Sequence, residues 1–159
     1  MKTTQTILAT LLAASSVFAA PARTVQGADI LKTKADVQAQ FAPAPVPKWT
    51  IEGMQRSCAS DDSSCTWNFR INTHVASETV VSYVVNGPGA SRANGGPSNF
   101  GDFTVTSNWS GQFGDGQGFT TFSTVDNKDG LIAFPAYTDA EVQSGGVVAD
   151  RDYDVYYLS

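Results

Sequence analysis

CTWNFRINTHV, residues Cys65 to Val75, decides the fold. Cys65, Trp67, Phe69, Ile71, Thr73 and Val75 fall on one side of an extended chain. Thr66, Asn68, Arg70, Asn72 and His74 fall on the other. Successive strand side chains point to opposite faces, so a period of two with one apolar and one polar set means a strand with one dry face. Such strands belong to antiparallel sheets solvated on one side.

The same period continues outward in both directions. Trp49, Ile51 and Gly53 alternate with Thr50, Glu52 and Met54, which makes a preceding strand. The Asp61–Ser64 turn joins the two. Residues 79–85 (TVVSYVV) are rich in β-branched side chains and form a third strand. Glycines and prolines crowd residues 86–101, which reads as a long loop. Further strands follow at 103–109, 119–125 and 131–134, separated by Gly-rich turns. Thr138 and Glu141 have capping-box spacing and open one short helix, ended by Gly145 and Gly146. Val147 and Val148 fit a short returning strand, and the tail from Asp150 has no assigned structure. The fold class is therefore all-β with one short helix, a small antiparallel β-barrel or sandwich. A barrel is favoured, because closure removes exposed sheet edges.

The N-terminal end reads as a leader. Lys2, an apolar run over Ile7–Ala14 and small residues at Val17 and Ala19 make residues 1–19 a secretory signal peptide. The run is shorter than the roughly 18 to 20 residues a membrane span needs. Residues 20–47 read as a flexible Pro-rich segment, with Pro43, Pro45 and Pro47 at alternate positions. A single β-barrel domain is expected over 48–159. Without Lys2 the chain has nine basic and fifteen acidic residues, a formal charge of about −6. That balance argues against nucleic-acid binding and against a polybasic lipid-binding face.

Export places the two cysteines, Cys58 and Cys65, in an oxidising compartment, where a disulfide is expected. Asn108-Trp109-Ser110 is an N-glycosylation sequon, with Trp109 pointing inward and Asn108 outward. The residues that could carry chemistry do not assemble into a known pattern. His74 is the single histidine and falls on the polar strand face. Glu52, Glu78, Asp102 and Asp115 are candidate acid/base carboxylates with nothing in their spacing to select a pair. Asp150, Asp152 and Asp154 alternate like the start of a calcium loop, but Val155 stands where the glycine is required. Most aromatics lie on the apolar face, so they read as core; Tyr153, Tyr156 and Tyr157 are expected at the surface. No catalytic residue, cofactor or metal is expected, and the chain does not read as an enzyme.

Several stretches carry a resemblance: KWTIEGM (Lys48–Met54), CASDDSSCTW (Cys58–Trp67), GGP (Gly95–Pro97) and TVTSNWSGQFG (Thr104–Gly114). GFTT (Gly118–Thr121), VDNKDGLI (Val125–Ile132) and PAYTD (Pro135–Asp139) continue it. Over residues 48–149 the chain resembles small secreted proteins of filamentous fungi. These include hypersensitive-response-inducing elicitors of plant pathogens and related plant-interaction proteins of Trichoderma. The resemblance implies a compact β-barrel, secretion into the host apoplast and modulation of plant immunity, with no catalytic residues to carry over. It also implies a second cysteine pair near positions 81 and 100, where this chain has Val81 and Phe100. The function expected is a secreted non-enzymatic effector or elicitor acting by surface recognition. The alternative is a secreted protein that binds carbohydrate or cell wall. Partners expected on this reading are a plant surface or apoplastic protein, or cell-wall carbohydrate, with no nucleic acid and no membrane span; a homodimer stays open.

Overall fold

The computed structural model describes residues 41–158. The expected signal peptide and the segment up to residue 40 lie outside the described residues. Ten strands and one helical turn make up the rest: β1 Trp49–Cys58, β2 Ser64–Asn72, β3 Thr79–Asn86, β4 Gly95–Phe100, β5 Phe103–Ser110, β6 Phe119–Asp126, β7 Leu131–Ala133, β8 Ala136–Thr138, α1 Asp139–Val142, β9 Arg151–Tyr153 and β10 Val155–Tyr157. A 3-10 turn spans Ala90–Arg92.

The strands form two antiparallel sheets. One is ordered β3-β2-β1-β9 and the other β10-β7-β6-β5-β4, with β8 paired to β6. Their inner faces interdigitate. Phe122 of β6 sits at the centre, with Trp67 at 5.0 Å, Phe69 at 5.7 Å and Tyr83 at 5.9 Å between ring centroids. Trp67 and Tyr83 meet it edge to face, the arrangement the ring quadrupoles favour. Trp49 likewise meets Phe103 across the sandwich at 5.4 Å.

The favoured barrel is corrected here to a sandwich. The sheets do not close between β3 and β4, which lie side by side without a ladder. The reason lies in β4. Pro97 has no N–H to offer, Gly96 has φ +84°, and the β4–β5 register shifts between Gly95 and Ser98. Side chains hold this seam instead. Tyr83 Oη lies 3.0 Å from Ser107 Oγ in the interior. A Cβ on Gly95 would stand 2.6 Å from Tyr83 Oη, so only glycine lets the strands approach this closely. Val81 and Phe100 stand on the two strands that flank the seam. At the opposite side the chain passes from β9 in one sheet directly to β10 in the other.

The alternation of residues 65–75 holds from Cys65 to Thr73, all inward and buried, and fails at Val75, which is exposed. Asn72 Oδ1 accepts the His74 amide at 2.9 Å and His74 has φ +63°, which ends the strand. In β1 the period breaks at Gly53, φ +62°, where the register with β2 shifts. This β-bulge turns Met54 and Arg56 inward.

The loop expected over 86–101 contains the 3-10 turn and β4. Residues 147–148 are not a strand; the Val148 amide bonds the Met54 carbonyl at 2.8 Å. The tail supplies β9 and β10, and Tyr156 is buried rather than exposed. The capping box forms as expected. Glu141 Oε2 accepts the Thr138 amide at 2.8 Å and its hydroxyl at 2.9 Å, though the helix is a single turn. The end of the Pro-rich segment docks on the domain. Tyr157 N–H donates to Ala42, Ala44 N–H donates to Val155, and the Phe41 ring lies 5.2 Å from Phe134.

Candidate recognition surface

The bulge at Gly53 sets up a polar network at one end of the sandwich. It rotates Arg56 into the interior, where its side chain is 6 % exposed. Arg56 Nη1 donates to the Ser91 carbonyl at 3.1 Å and to Asp139 Oδ1 at 3.2 Å. Its guanidinium lies 5.2 Å over the Trp67 ring, a cation–π contact. Asp139 Oδ2 accepts the Trp109 indole N–H at 2.9 Å. Arg92 in turn lies 5.9 Å over the Trp109 ring. One chain of charge and ring contacts thus ties β1, β2, β5, α1 and the 3-10 turn together.

A groove of about 430 Å³ runs beside this network, lined by Arg56, Cys58, Asp62, Ser91, Gln143 and Ser144 among others. Its charges are already occupied. Asp62 accepts the Ser91 amide at 2.9 Å and the Ser91 hydroxyl at 2.8 Å, and Arg56 is held by Asp139. Cys58 and Cys65 face each other in the β1–β2 register and form a disulfide. Asp62 lies beside them, but their sulfurs are spent in the S–S bond and are not thiolate ligands.

The carboxylates named from the sequence go to separate partners. Glu52 and Glu78 flank one cation: Arg70 Nη2 reaches Glu52 and Nε reaches Glu78, each at 3.0 Å. Asn72 also donates to Glu52 at 2.9 Å, and these bonds, Asn72's first and Arg70's next, hold the Glu52 carboxyl below its ordinary range. This is an ion triad, with a guanidinium standing where an acid–base pair would need substrate. Asp102 lies in the turn between β4 and β5, where its backbone carbonyl accepts from Asn127; Asp115 is exposed in the Gly-rich turn after β5. Asp150 accepts the Gly53 amide, Asp152 the Thr50 hydroxyl, and Asp154 pairs with Lys48, so the three acids of the tail diverge.

His74 is exposed, with Nε2 2.7 Å from Thr50 Oγ1. The Thr50 hydroxyl gives its one proton to Asp152 at 2.7 Å, so Nε2 carries the proton it shares with Thr50. In a Ser-His-Asp triad the imidazole stands between hydroxyl and carboxylate and takes the hydroxyl proton. Here the hydroxyl stands between, and the order is wrong for nucleophile activation.

Trp109 is half-buried rather than fully inward, while Asn108 beside it is exposed as expected. The ring is covered by Arg92, and Gly111 and Gly118 press on it so closely that a Cβ would lie 2.5 Å and 3.0 Å from ring atoms. It is packed and offers no open stacking platform.

The surface also carries exposed apolar side chains. On the outer face of β3, Val80 is 70 % exposed and Val84 43 %; Val75, in the loop leading into the strand, is 74 % exposed. Val80 pairs with Arg70 and Val84 with Thr66 across β2, so this ridge runs along the margin of the first sheet beside the Glu52–Arg70–Glu78 triad. Sequence reading missed it. The signal was there, because Val80-Val81 and Val84-Val85 put a valine on both faces, and only the inner one is needed by the core.

A family model described as Effector TSP1 matches residues 50–157, which spans the sandwich from β1 to β10. A protein named Effector TSP1 from Hypocrea virens is 47 % identical over 150 residues, covering 94 % of this chain and 92 % of the relative.

Proposed function

The chain belongs to the Effector TSP1 family, and from that premise we propose that it is a secreted, non-enzymatic elicitor that modulates plant immunity through contacts made by its folded surface. One observation carries the choice of surface: the exposed valine ridge of β3. The core needs only the inward Val81, Tyr83 and Val85; the outward valines favour an extended strand but leave apolar surface in water. Exposed apolar side chains set among polar ones, here Val80 and Val84 with Ser82 between them, are what a protein partner covers on binding. The adjacent Arg70, bracketed by two acids, supplies the polar rim.

The site chemistry supports the same reading. The ionisable groups at the network end and on the first sheet are engaged with one another, and the core is filled by interlocking rings. The Trp109 ring, which a cell-wall carbohydrate reading would use as its stacking platform, is packed against Arg92, Gly111 and Gly118.

The test is infiltration of pure mature protein into leaves, scored for defence response. Wild type elicits the response, and the Val80→Asp/Val84→Asp double variant loses most of it while keeping the wild-type circular dichroism spectrum and melting temperature. Heat-unfolded protein is inactive. A double variant that is folded and fully active sinks the assignment of this surface. A wild-type protein that elicits nothing and does not alter colonisation sinks the function.

A further inference from the structure

The second sheet has a different outer face. On β5 and β6 the outward side chains are Thr104, Thr106, Asn108, Ser110, Phe119, Thr121, Ser123 and Val125. None is charged, in a chain whose formal net charge is −5. The other sheet's outer face carries Glu52 and Arg70 in the corresponding layer. In the middle of the uncharged face stands Asn108, exposed, within the single Asn-x-Ser/Thr sequence of the chain.

The register places an aromatic beside it. Asn108 pairs with Thr121 and Ser110 pairs with Phe119, so Phe119 is the diagonal neighbour of Asn108 on the same face. Diagonal cross-strand neighbours are about 7 to 8 Å apart, within reach of an aromatic ring and a group attached to the Asn amide. Phe119 stacks on Phe113 at 5.7 Å with 23° between planes, and both rings stay half-buried at the surface. They form an apolar shelf next to a modification sequon.

We propose that Asn108 carries an N-linked glycan and that its first sugar lies on the Phe113–Phe119 shelf. The chemistry is glycosyl transfer from a lipid-pyrophosphate oligosaccharide. Asn108 Nδ2 forms the bond to the sugar's C1, the C1–O bond to pyrophosphate breaks, and the lipid pyrophosphate leaves. The amide proton passes to the transferase. The Ser110 hydroxyl is the third element the transferase reads. This explains why the face is uncharged and hydroxyl-rich, since a glycan covers it, and it leaves the valine ridge on the opposite sheet as the open contact surface. The proposal rests on export through the secretory pathway.

The experiment expresses the full chain in a filamentous fungus in two arms. One arm uses the native residues 1–19; in the other a strong heterologous leader replaces them. Protein recovered from the medium is weighed intact before and after peptide N-glycosidase. The expected result is one glycan ladder that collapses to the peptide mass with Asn108 converted to Asp; it is absent in Asn108→Gln and Ser110→Ala and retained in Ser110→Thr. Secreted protein from the second arm at the unmodified peptide mass overturns the proposal. A native arm that exports nothing while the second arm is glycosylated sinks the export reading and leaves the glycan standing. The shelf has its own readout. Stripping the glycan lowers the melting temperature of wild type by a few degrees, and Phe119→Ala removes that difference while keeping occupancy. An unchanged difference in Phe119→Ala overturns the placement of the sugar.

Discussion

Removing the Asp139 carboxylate tests whether the end of the sandwich is held by one charge network. Asp139→Ala leaves the Arg56 guanidinium, 6 % exposed, with the Ser91 carbonyl at 3.1 Å and the Trp67 ring at 5.2 Å as its remaining partners. Breaking one side of a buried ion pair costs about 3 to 5 kcal/mol, because the other charge stays desolvated. Asp139 itself is 19 % exposed, so water reaches the gap and the lower end applies. The Trp109 indole N–H also loses its acceptor, about 1 kcal/mol more. The expected loss is therefore about 3 to 4 kcal/mol, a large share of the roughly 5 to 15 kcal/mol that a domain has. Urea unfolding at constant m reads it directly, and the melting temperature falls by about 10 to 20 °C. The double variant Arg56→Met/Asp139→Ala removes the stranded charge, so it loses less than Asp139→Ala alone, about 1 to 2 kcal/mol. If Asp139→Ala costs under about 1 kcal/mol, or the two single losses simply add, Arg56 is not a buried charge in need of a partner and the network reasoning fails.

Three further outcomes follow from the same geometry. Phe122→Ala removes the ring that Trp67, Phe69 and Tyr83 all touch, and costs about 3 to 5 kcal/mol in urea unfolding; a loss under 1 kcal/mol means the sheets do not meet there. Reducing Cys58–Cys65, or replacing both by Ser, lowers stability by about 2 to 3 kcal/mol, the loop-closure term for so short a ring, with the m-value showing any change in the unfolded state. The Arg151 guanidinium and the Thr138 cap hold the Glu141 carboxyl down to about 2 from an ordinary 4.5. A depressed folded value means that its contribution is whole above about pH 4.5 and is lost as pH falls towards 2. Both side chains are about a third exposed, so the contribution is about 1 kcal/mol, and Glu141→Gln flattens the acid limb of a stability–pH curve between those values; an unchanged limb contradicts the pairing.

The strands that make the core were legible because their cause is local. From Cys65 to Thr73 each residue's face follows from its own parity, and nothing distant can alter it without burying Arg70 or exposing Trp67. Where a local device interrupts parity, the reading failed: the Asn72 side chain that bonds the His74 amide flips Val75 outward, and Gly53 flips Met54 and Arg56 inward. The tail could have been read the same way, since Arg151, Tyr153 and Val155 alternate with Asp152 and Asp154, yet its acids suggested solvent. Closure is a different kind of fact. Whether β3 meets β4 as a ladder depends on two segments choosing a common register, and only Pro97 hinted that β4 would lack a donor. The charge network lies further still from local logic. Arg56 and Asp139 are 83 residues apart, and neither has a neighbour in sequence that announces the other. The valine ridge needed no distant information at all. Parity alone places Val80 and Val84 opposite Val81 and Val85, so one member of each pair faces water once the sheet has a single core. Val80 and Val84 are thus apolar where the core does not ask for it, and the proposed contact surface rests on them.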